Sequence, residues 1–267
     1  MTDLDLLTVG RVSVDLYARE PGPLTHVTGF EKSIGGTATN VAVAAARLGT
    51  KAGLVTRVGD DAFGRYVRYA LDETFGVDTR FVGSDAELPT PLAFAELDPV
   101  TEPNIIFRRE PRAPDQNLSI DDVDLDVIRE VPIFWVAASR FAWEPSRSAT
   151  AEMLAVRARR PHSVIDLDWR PHFWSSMDEA HEAISPMLDH FTIAIGNRDE
   201  CQVAVGERDP NRAADLLLER GLEAAIVKLG GDGVMVATAD GVRETIAPFP
   251  VEVVCGLGAG DAFGGAL

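Results

Sequence analysis

From residue 131 onward, short apolar runs alternate with helix-period stretches, and this alternation constrains the fold more than any other feature of the chain. Residues 131–137 and 163–167 read as strands, with a helix over 145–160 between them. Residues 184–188 read as helical, 191–195 as a strand, 211–220 as a helix, 224–228 as a strand and 234–237 as the start of a hairpin. Strands separated by a helix cannot close as tight hairpins. They line up in parallel, and a parallel sheet needs cover on both faces.

The first half follows the same rule with one interruption. Residues 6–9 form a short apolar strand ended by Gly10, followed by a polar stretch through Pro21-Gly22-Pro23. Gly35-Gly36-Thr37-Ala38-Thr39-Asn40 opens a helical run over 41–48, closed by Gly49. Thr37, Thr39 or Asn40 is expected to cap its first amides, and Gly49 suits a left-handed C-terminal position. Residues 54–58 read as a strand, and a helix is expected after Asp60 to about Phe75. Strand-like pieces around Phe81, 91–97 and 104–108 then follow with no helix between them. Such a run implies a small β appendage of the kind that serves as a lid.

Charge narrows the partners. A net charge of −17 over 267 residues argues against nucleic acid and anionic membrane surfaces, which repel an acidic protein. A phosphate-bearing ligand stays compatible, because local backbone amides override a distant net charge. Two widely spaced cysteines, Cys201 and Cys255, lack metal-ligand spacing and suit a reducing cytoplasm. The start, Met1-Thr2-Asp3-Leu4-Asp5, carries acids where a secretion signal carries lysine or arginine. No apolar run approaches the roughly 20 residues that span a bilayer. The chain stops at Leu267, just where a helix should be starting, so a longer gene product is expected.

Two glycine-rich segments carry the chemistry. In Gly256-Leu257-Gly258-Ala259-Gly260-Asp261-Ala262, a glycine turn leads into a helix whose first amides point at one spot, which suits an oxyanion. An acid there is poorly placed as a structural residue and well placed as a base beside a transferring phosphoryl group, although glycine turns with a capping Asp are common. The dinucleotide pattern G-x-G-x-x-G fails because Asp261 stands at its last position, and no G-x-x-x-x-G-K-[ST] exists. In the earlier segment, Gly35 and Gly36 admit a ligand close to the backbone and Asn40 offers both a donor and an acceptor for hydroxyls. Taken alone, that segment reads as well as a capped loop.

Together the two segments resemble the paired signatures of the ribokinase-like (PfkB) carbohydrate kinases: residues 35–49 the first, Gly258-Ala259-Gly260-Asp261 the second. The resemblance runs from Leu6 to the end. Within the family it is closest to the branch acting on 5-dehydro-2-deoxygluconate in inositol catabolism, through residues 10–17, 56–64, 107–115 and 254–258. The Asp-Thr that many members place before the Gly-Ala-Gly-Asp core is absent, as in that branch. The resemblance implies a three-layer α/β/α sandwich with a mostly parallel central sheet and a small β lid, its segments near 11–34 and 81–112. The family's C-terminal helices would be missing. It implies ATP-dependent, Mg²⁺-assisted phosphorylation of a sugar acid in the cytoplasm, and leaves room for a homodimer through the lid. Asp261 would be the base, with the amides of Gly258, Ala259 and Gly260 as anion hole. Asp15, Gly35, Gly36 and Asn40 would hold sugar hydroxyls. Arg109 and Arg170 would face the carboxylate. Asn197 and Glu200 resemble the N-x-x-E element that organises magnesium and phosphate, Glu200 acting on the metal indirectly. Lys228, Gly230, Gly231 and Gly233 resemble the nucleotide loop. Another sugar, sugar acid or nucleoside as substrate, and a catalytically silent binding protein, remain alternatives.

Overall fold

The computed structural model describes residues 3–100, 103–252 and 256–267. Val254 and Cys255 of the last resemblance stretch, and Met1 and Thr2 of the start, lie outside the described residues. The chain divides into two compact units, a first of residues 8–118 and 251–267 and a second of residues 1–7 and 119–250. β1 (Leu6–Val9) spans the point where the chain passes between them.

In the first unit, β2 (Ser13–Ala18) and β3 (Phe30–Gly35) form an antiparallel pair, and α1 (Thr37–Arg47) starts directly after. β4 (Ala52–Gly59) lies beside β1 and leads into α2 (Ala62–Tyr69), then β5 (Val82–Asp85). β6 (Leu92–Glu96) and β7 (Asn104–Arg108) complete a small sheet of order β3-β2-β6-β7, antiparallel except for the parallel β2–β6 ladder. The strand near Phe81 corrects one expectation. β5 pairs in parallel with β4, Thr56 opposite Val82, and takes no part in the small sheet. Buried Val82 and Phe81 explain this, since β5 has a hydrophobic flank to hide against its neighbour. The entry into β6 is fastened by Asp61, the N-cap of α2, which accepts from Gly64 N at 2.7 Å and from Thr90 N and Oγ1 at 2.8 Å each.

The capping of α1 is a second correction. Its N-cap is Gly36, at φ 105°, with no side-chain cap. Thr37, Thr39 and Asn40 are all turned to other partners: Thr37 accepts from the buried Arg11 guanidinium at 2.8 Å, Thr39 donates to the Arg11 carbonyl at 3.0 Å, and Asn40 is used in the site described below. Gly49 does adopt the left-handed conformation, φ 96°.

The second unit begins with α3 (Leu125–Glu130), then β8 (Ile133–Ala137), α4 (Ser146–Arg157) and β9 (Ser163–Asp166). α5 (Met177–Ile184), β10 (Ile193–Asn197), α6 (Arg198–Val205), α7 (Pro210–Glu219) and β11 (Ala224–Lys228) follow. The hairpin β12 (Val234–Thr238) and β13 (Arg243–Ile246) closes the series. The strands run in the order β13-β12-β11-β10-β9-β8, parallel through β8–β9–β10–β11 and antiparallel at the β11–β12–β13 edge. The residues of β8–β11 are mostly apolar and buried, as strands covered on both faces must be, whereas the edge strand β13 is exposed at all four positions.

One side chain ties the lower ends of this unit. Arg157, in the last turn of α4, is 1% exposed. Its guanidinium donates to the carbonyls of Ile128 (3.1 Å), Val131 (2.6 Å), Pro132 (3.2 Å) and Pro161 (2.7 Å) and to Ser163 Oγ (3.1 Å). Burial, with Arg160 nearby, lowers its pKa to about 10, so it stays charged at neutral pH.

The chain re-enters the first unit with α8 (Ala259–Ala266), which packs against α1 through small residues. A Cβ on Gly265 would stand 2.5 Å from the Val41 carbonyl oxygen and 2.6 Å from Ala44 Cβ. No side chain fits there without pushing the helices apart.

Two outcomes follow from these packings. Arg157→Met should lower stability by roughly 3 kcal/mol, because several buried carbonyls lose a charged donor at once; urea unfolding measures it, and an unchanged midpoint would contradict the assignment. Gly265→Val should cost about 1–3 kcal/mol through overpacking, whereas Ala266→Val, at an exposed position, should cost little; urea unfolding of the two variants compares them.

Candidate functional site

In the first unit the sequence-predicted sugar-side residues come together. Asn40, in the first turn of α1, donates from Nδ2 to Asp261 Oδ2 at 2.8 Å, although 221 positions separate them. The contact exists because α8 lies so close to α1 that the first turns of both helices meet. Asp261 sits at the third position of α8, after the N-cap Gly258 at φ 75°. The first turn of a helix leaves its amides without intrahelical partners. Of the three amides expected to form the anion hole, that of Ala259 donates to the Gly256 carbonyl at 3.3 Å, and the first intrahelical bond is Ala262 N to Gly258 O at 2.8 Å. Gly260 lies between these two closures.

Asp15 occupies the centre of β2. Ser13 Oγ donates to its Oδ1 at 2.6 Å, and a Cβ on Gly35 would overlap its carboxylate, so only glycine at that position lets Asp15 lie across the β3 backbone. Burial raises the Asp15 pKa, opposed by the Ser13 hydroxyl and the charge of Arg11. Gly36 is the α1 N-cap and its carbonyl accepts from Asn40 N at 2.8 Å. Arg109 is placed differently from a simple substrate clamp. Its side chain is 8% exposed, and Nη2 donates at 2.5 Å to the fully buried Asp115, which also accepts from Val12 N at 3.2 Å. Arg108 is exposed and donates to its neighbour's carbonyl, Phe107 O.

The second unit gathers the residues expected on the nucleotide side at the C-terminal ends of β9, β10 and β11, where open parallel sheets bind ligands. Asn197 and Glu200 form a reciprocal cap on α6: Asn197 Oδ1 accepts from Asp199 N and Glu200 N at 2.9 Å each, and Glu200 Oε2 accepts from Asn197 N at 2.6 Å. Lys228 Nζ stands 3.5 Å from Glu200 Oε2 and 3.8 Å from Asp166 Oδ1. Burial raises the Glu200 pKa to about 7, against the attraction of Lys228, and raises that of Asp166 as well. Asp166 Oδ2 is buried without a hydrogen-bond donor. Gly230 and Gly231, in the turn after β11, have nothing within 4 Å of a built Cβ, so the backbone there is approachable, while Gly233 is held against the Ile246 carbonyl.

Arg170 follows β9. Its Nε donates to Asp168 Oδ1 at 2.9 Å, and its side chain is 40% exposed. Asp168 is buried and accepts from Ser139 Oγ at 2.6 Å as well. Ser13, Asp115 and Ser139 were not singled out in the sequence: Ser13 is two residues from Asp15 on one strand, a spacing too common to mark a contact, while Ser139 meets Asp168 across 29 positions and Asp115 meets Val12 across 103. Among the described residues, no group of three or more His, Cys, Asp or Glu side chains could hold a metal. A lysine amine also stands beside the two acids nearest that role. The residues therefore do not make a cage for a resident Mg²⁺. No helix among the described residues is long and apolar enough to cross a membrane.

The sequence of a 5-dehydro-2-deoxygluconokinase from Photobacterium profundum is 35% identical over 274 residues, covering 99% of this chain and 81% of that one. The crystal structure of a PfkB protein from Polaromonas sp. JS666 superposes with a TM-score of 0.87 at 27% identity, covering 98% and 86% of the two chains. An aminoimidazole riboside kinase from Salmonella enterica, complexed with aminoimidazole riboside and an ATP analog, superposes at 0.79 with 28% identity, covering 97% and 82%. These neighbours share the ribokinase-like fold, a large, mostly parallel sheet flanked by helices with a small second sheet. The pfkB carbohydrate-kinase family model matches residues 3–267, and with it the chain belongs to the pfkB family of carbohydrate kinases.

Proposed function

We propose that the protein transfers the γ-phosphoryl group of MgATP to the primary hydroxyl of a sugar acid, with 5-dehydro-2-deoxy-D-gluconate, phosphorylated at O6, as the specific substrate. The observation that carries the transfer is the Asn40–Asp261 hydrogen bond at the first turn of α8. Asn40 fixes the carboxylate by one oxygen, and a carboxylate keeps acceptor capacity beyond one bond. Asp261 then takes the hydroxyl proton as the substrate oxygen bonds to the γ-phosphorus. The bond to the β–γ bridging oxygen breaks and ADP leaves. The Gly258–Gly260 amides answer the charge that develops on the transferring group. Asp15, Asn40, Gly35 and Gly36 are the sugar-side groups. Asn197, Glu200, Lys228 and the Gly230–Gly233 turn are the nucleotide-side groups, and magnesium enters as part of the nucleotide substrate. The small sheet is read as a lid, and a second copy pairing on its face of Leu16, Phe94 and Ile106 would cover those half-buried side chains.

The substrate assignment is supported by the relatives that share its name, and the arginines test it. Arg109 and Arg170 both already have acid partners, Asp115 and Asp168. That favours a second reading in which the substrate is neutral, as the riboside of the Salmonella neighbour is. Of the two arginines, Arg170 is the more exposed and is the one assigned to the carboxylate.

Asp261→Asn should lower kcat by about 10²–10⁴ while leaving sugar affinity nearly unchanged, as loss of a positioned base requires. Near-normal turnover by folded Asp261→Asn protein would remove the residue from this role. Arg170→Met should raise KM for the sugar acid by an amount worth roughly 2–5 kcal/mol, with the corresponding neutral alcohol little affected. A wild-type preference for fructose or a riboside over every sugar acid tested would decide for the neutral reading.

A further inference from the structure

We propose that Lys228 is the built-in cation of the Asp166–Glu200 pair, and that it keeps the free protein from collecting a divalent ion there. The idea starts from two buried acids. Asp166, at the end of β9, is 1% exposed, and Glu200, in the first turn of α6, is 6% exposed. Asp166 ends β9 and Glu200 opens the helix that follows the neighbouring strand β10, which pairs in parallel with both β9 and β11. Their oxygens are hard, buried and close to a common point, which is the donor type that Mg²⁺ or Mn²⁺ selects.

That common point is already taken. Lys228 ends β11 opposite Asn197, and its ammonium lies within 4 Å of one oxygen of each acid. An ammonium is a compact point charge with three donors and no acceptor, so it satisfies one oxygen of each carboxylate and repels a second cation brought to the same point. Its side chain is 17% exposed, so it is held in place and only slightly hydrated. Asp166 Oδ2 remains buried with no donor, a coordinating oxygen that the lysine does not satisfy. The cluster thus has the oxygens of a weak cation site and a resident lysine in the cation's place.

The consequence is an order of events. A divalent ion reaches this cluster only with ligands of its own, such as the phosphate oxygens of a bound nucleotide, which restore the coordination number that two carboxylates cannot supply. This last step rests on the reading of the second unit as the nucleotide side. The exclusion of free ions does not.

Manganese titration of the nucleotide-free protein, followed by electron paramagnetic resonance, tests it. Wild-type protein should show no saturable site tighter than about 1 mM. Lys228→Met should gain one site per chain, bound at least about tenfold more tightly, and the double variant Lys228→Met/Asp166→Asn should lose it again. Circular dichroism establishes that each variant is folded, and Lys228→Gln, which keeps a polar head, serves if the methionine variant does not fold. A stoichiometric manganese site in the wild-type protein would overturn the proposal, as would folded lysine variants that gain no site. Phosphorylation of a sugar acid by wild-type protein is measured separately. Its failure would sink the kinase reading and leave the manganese result standing.

Discussion

The close approach of α1 and α8 is the constraint on which the candidate catalytic residue depends. A helix pair with leucines at its contact sits about 8–10 Å apart between axes. Here the contact residues are Gly265 against Val41 and Ala44, and the backbone of one helix nearly touches the other. This closeness brings the first turn of α8 to the first turn of α1. Asn40 can then reach Asp261 with a short, rigid side chain. A longer side chain across a wider gap would hold the carboxylate with more rotamer freedom and less directional control. The small residues of α1 that admit Gly265 are therefore as necessary to the Asn40–Asp261 contact as the two residues that make it.

Acids are handled by the same logic throughout the molecule. The protein is strongly acidic overall, yet the buried acids on which the site rests are each answered locally. Asp15 has Ser13 and the charge of Arg11, Asp115 has Arg109 and the Val12 amide, and Asp168 has Ser139 and Arg170. Glu200 and Asp166 share one lysine. Burial of a carboxylate without such partners costs several kcal/mol, so each answer is a condition of folding before it is a feature of function. The exception is Asp166 Oδ2, and it lies in the cluster with the least symmetric balance of charge.

Much of this was legible in the sequence, for a physical reason. The β/α alternation follows from apolar periodicity, which burial enforces, and β1 and β11 fall on the residues expected. The two glycine segments were legible because glycine marks positions where backbone or ligand must come close. What failed was local. The Thr37, Thr39 and Asn40 side chains looked like caps, and tertiary partners claimed all three. β5 looked like part of the small sheet, because a short strand carries no mark of which neighbour it will join. α6 and α3 were too short to show a period. The partners of Arg109 and Arg170 were invisible for another reason: an arginine advertises its charge in sequence, but not whether that charge is already spent.

That last point bears on how a sugar acid could be told from a neutral sugar. A guanidinium paired with a buried aspartate is close to neutral as a unit, so its long-range pull on a substrate carboxylate is weak. Its geometry gains what its charge loses. Asp168 is anchored by Ser139 on one oxygen and holds the Arg170 Nε edge with the other, so the guanidinium plane is fixed. The edge of a fixed fork discriminates by direction, pairing well with a planar carboxylate and poorly with a tetrahedral hydroxymethyl group. Arg109, 8% exposed and bound to Asp115, has the fixed plane without the exposure. On the proposal that Arg170 meets a substrate carboxylate, its pairing with Asp168 would weaken its attraction for acids in general and make the choice among them rest on direction more than on net charge.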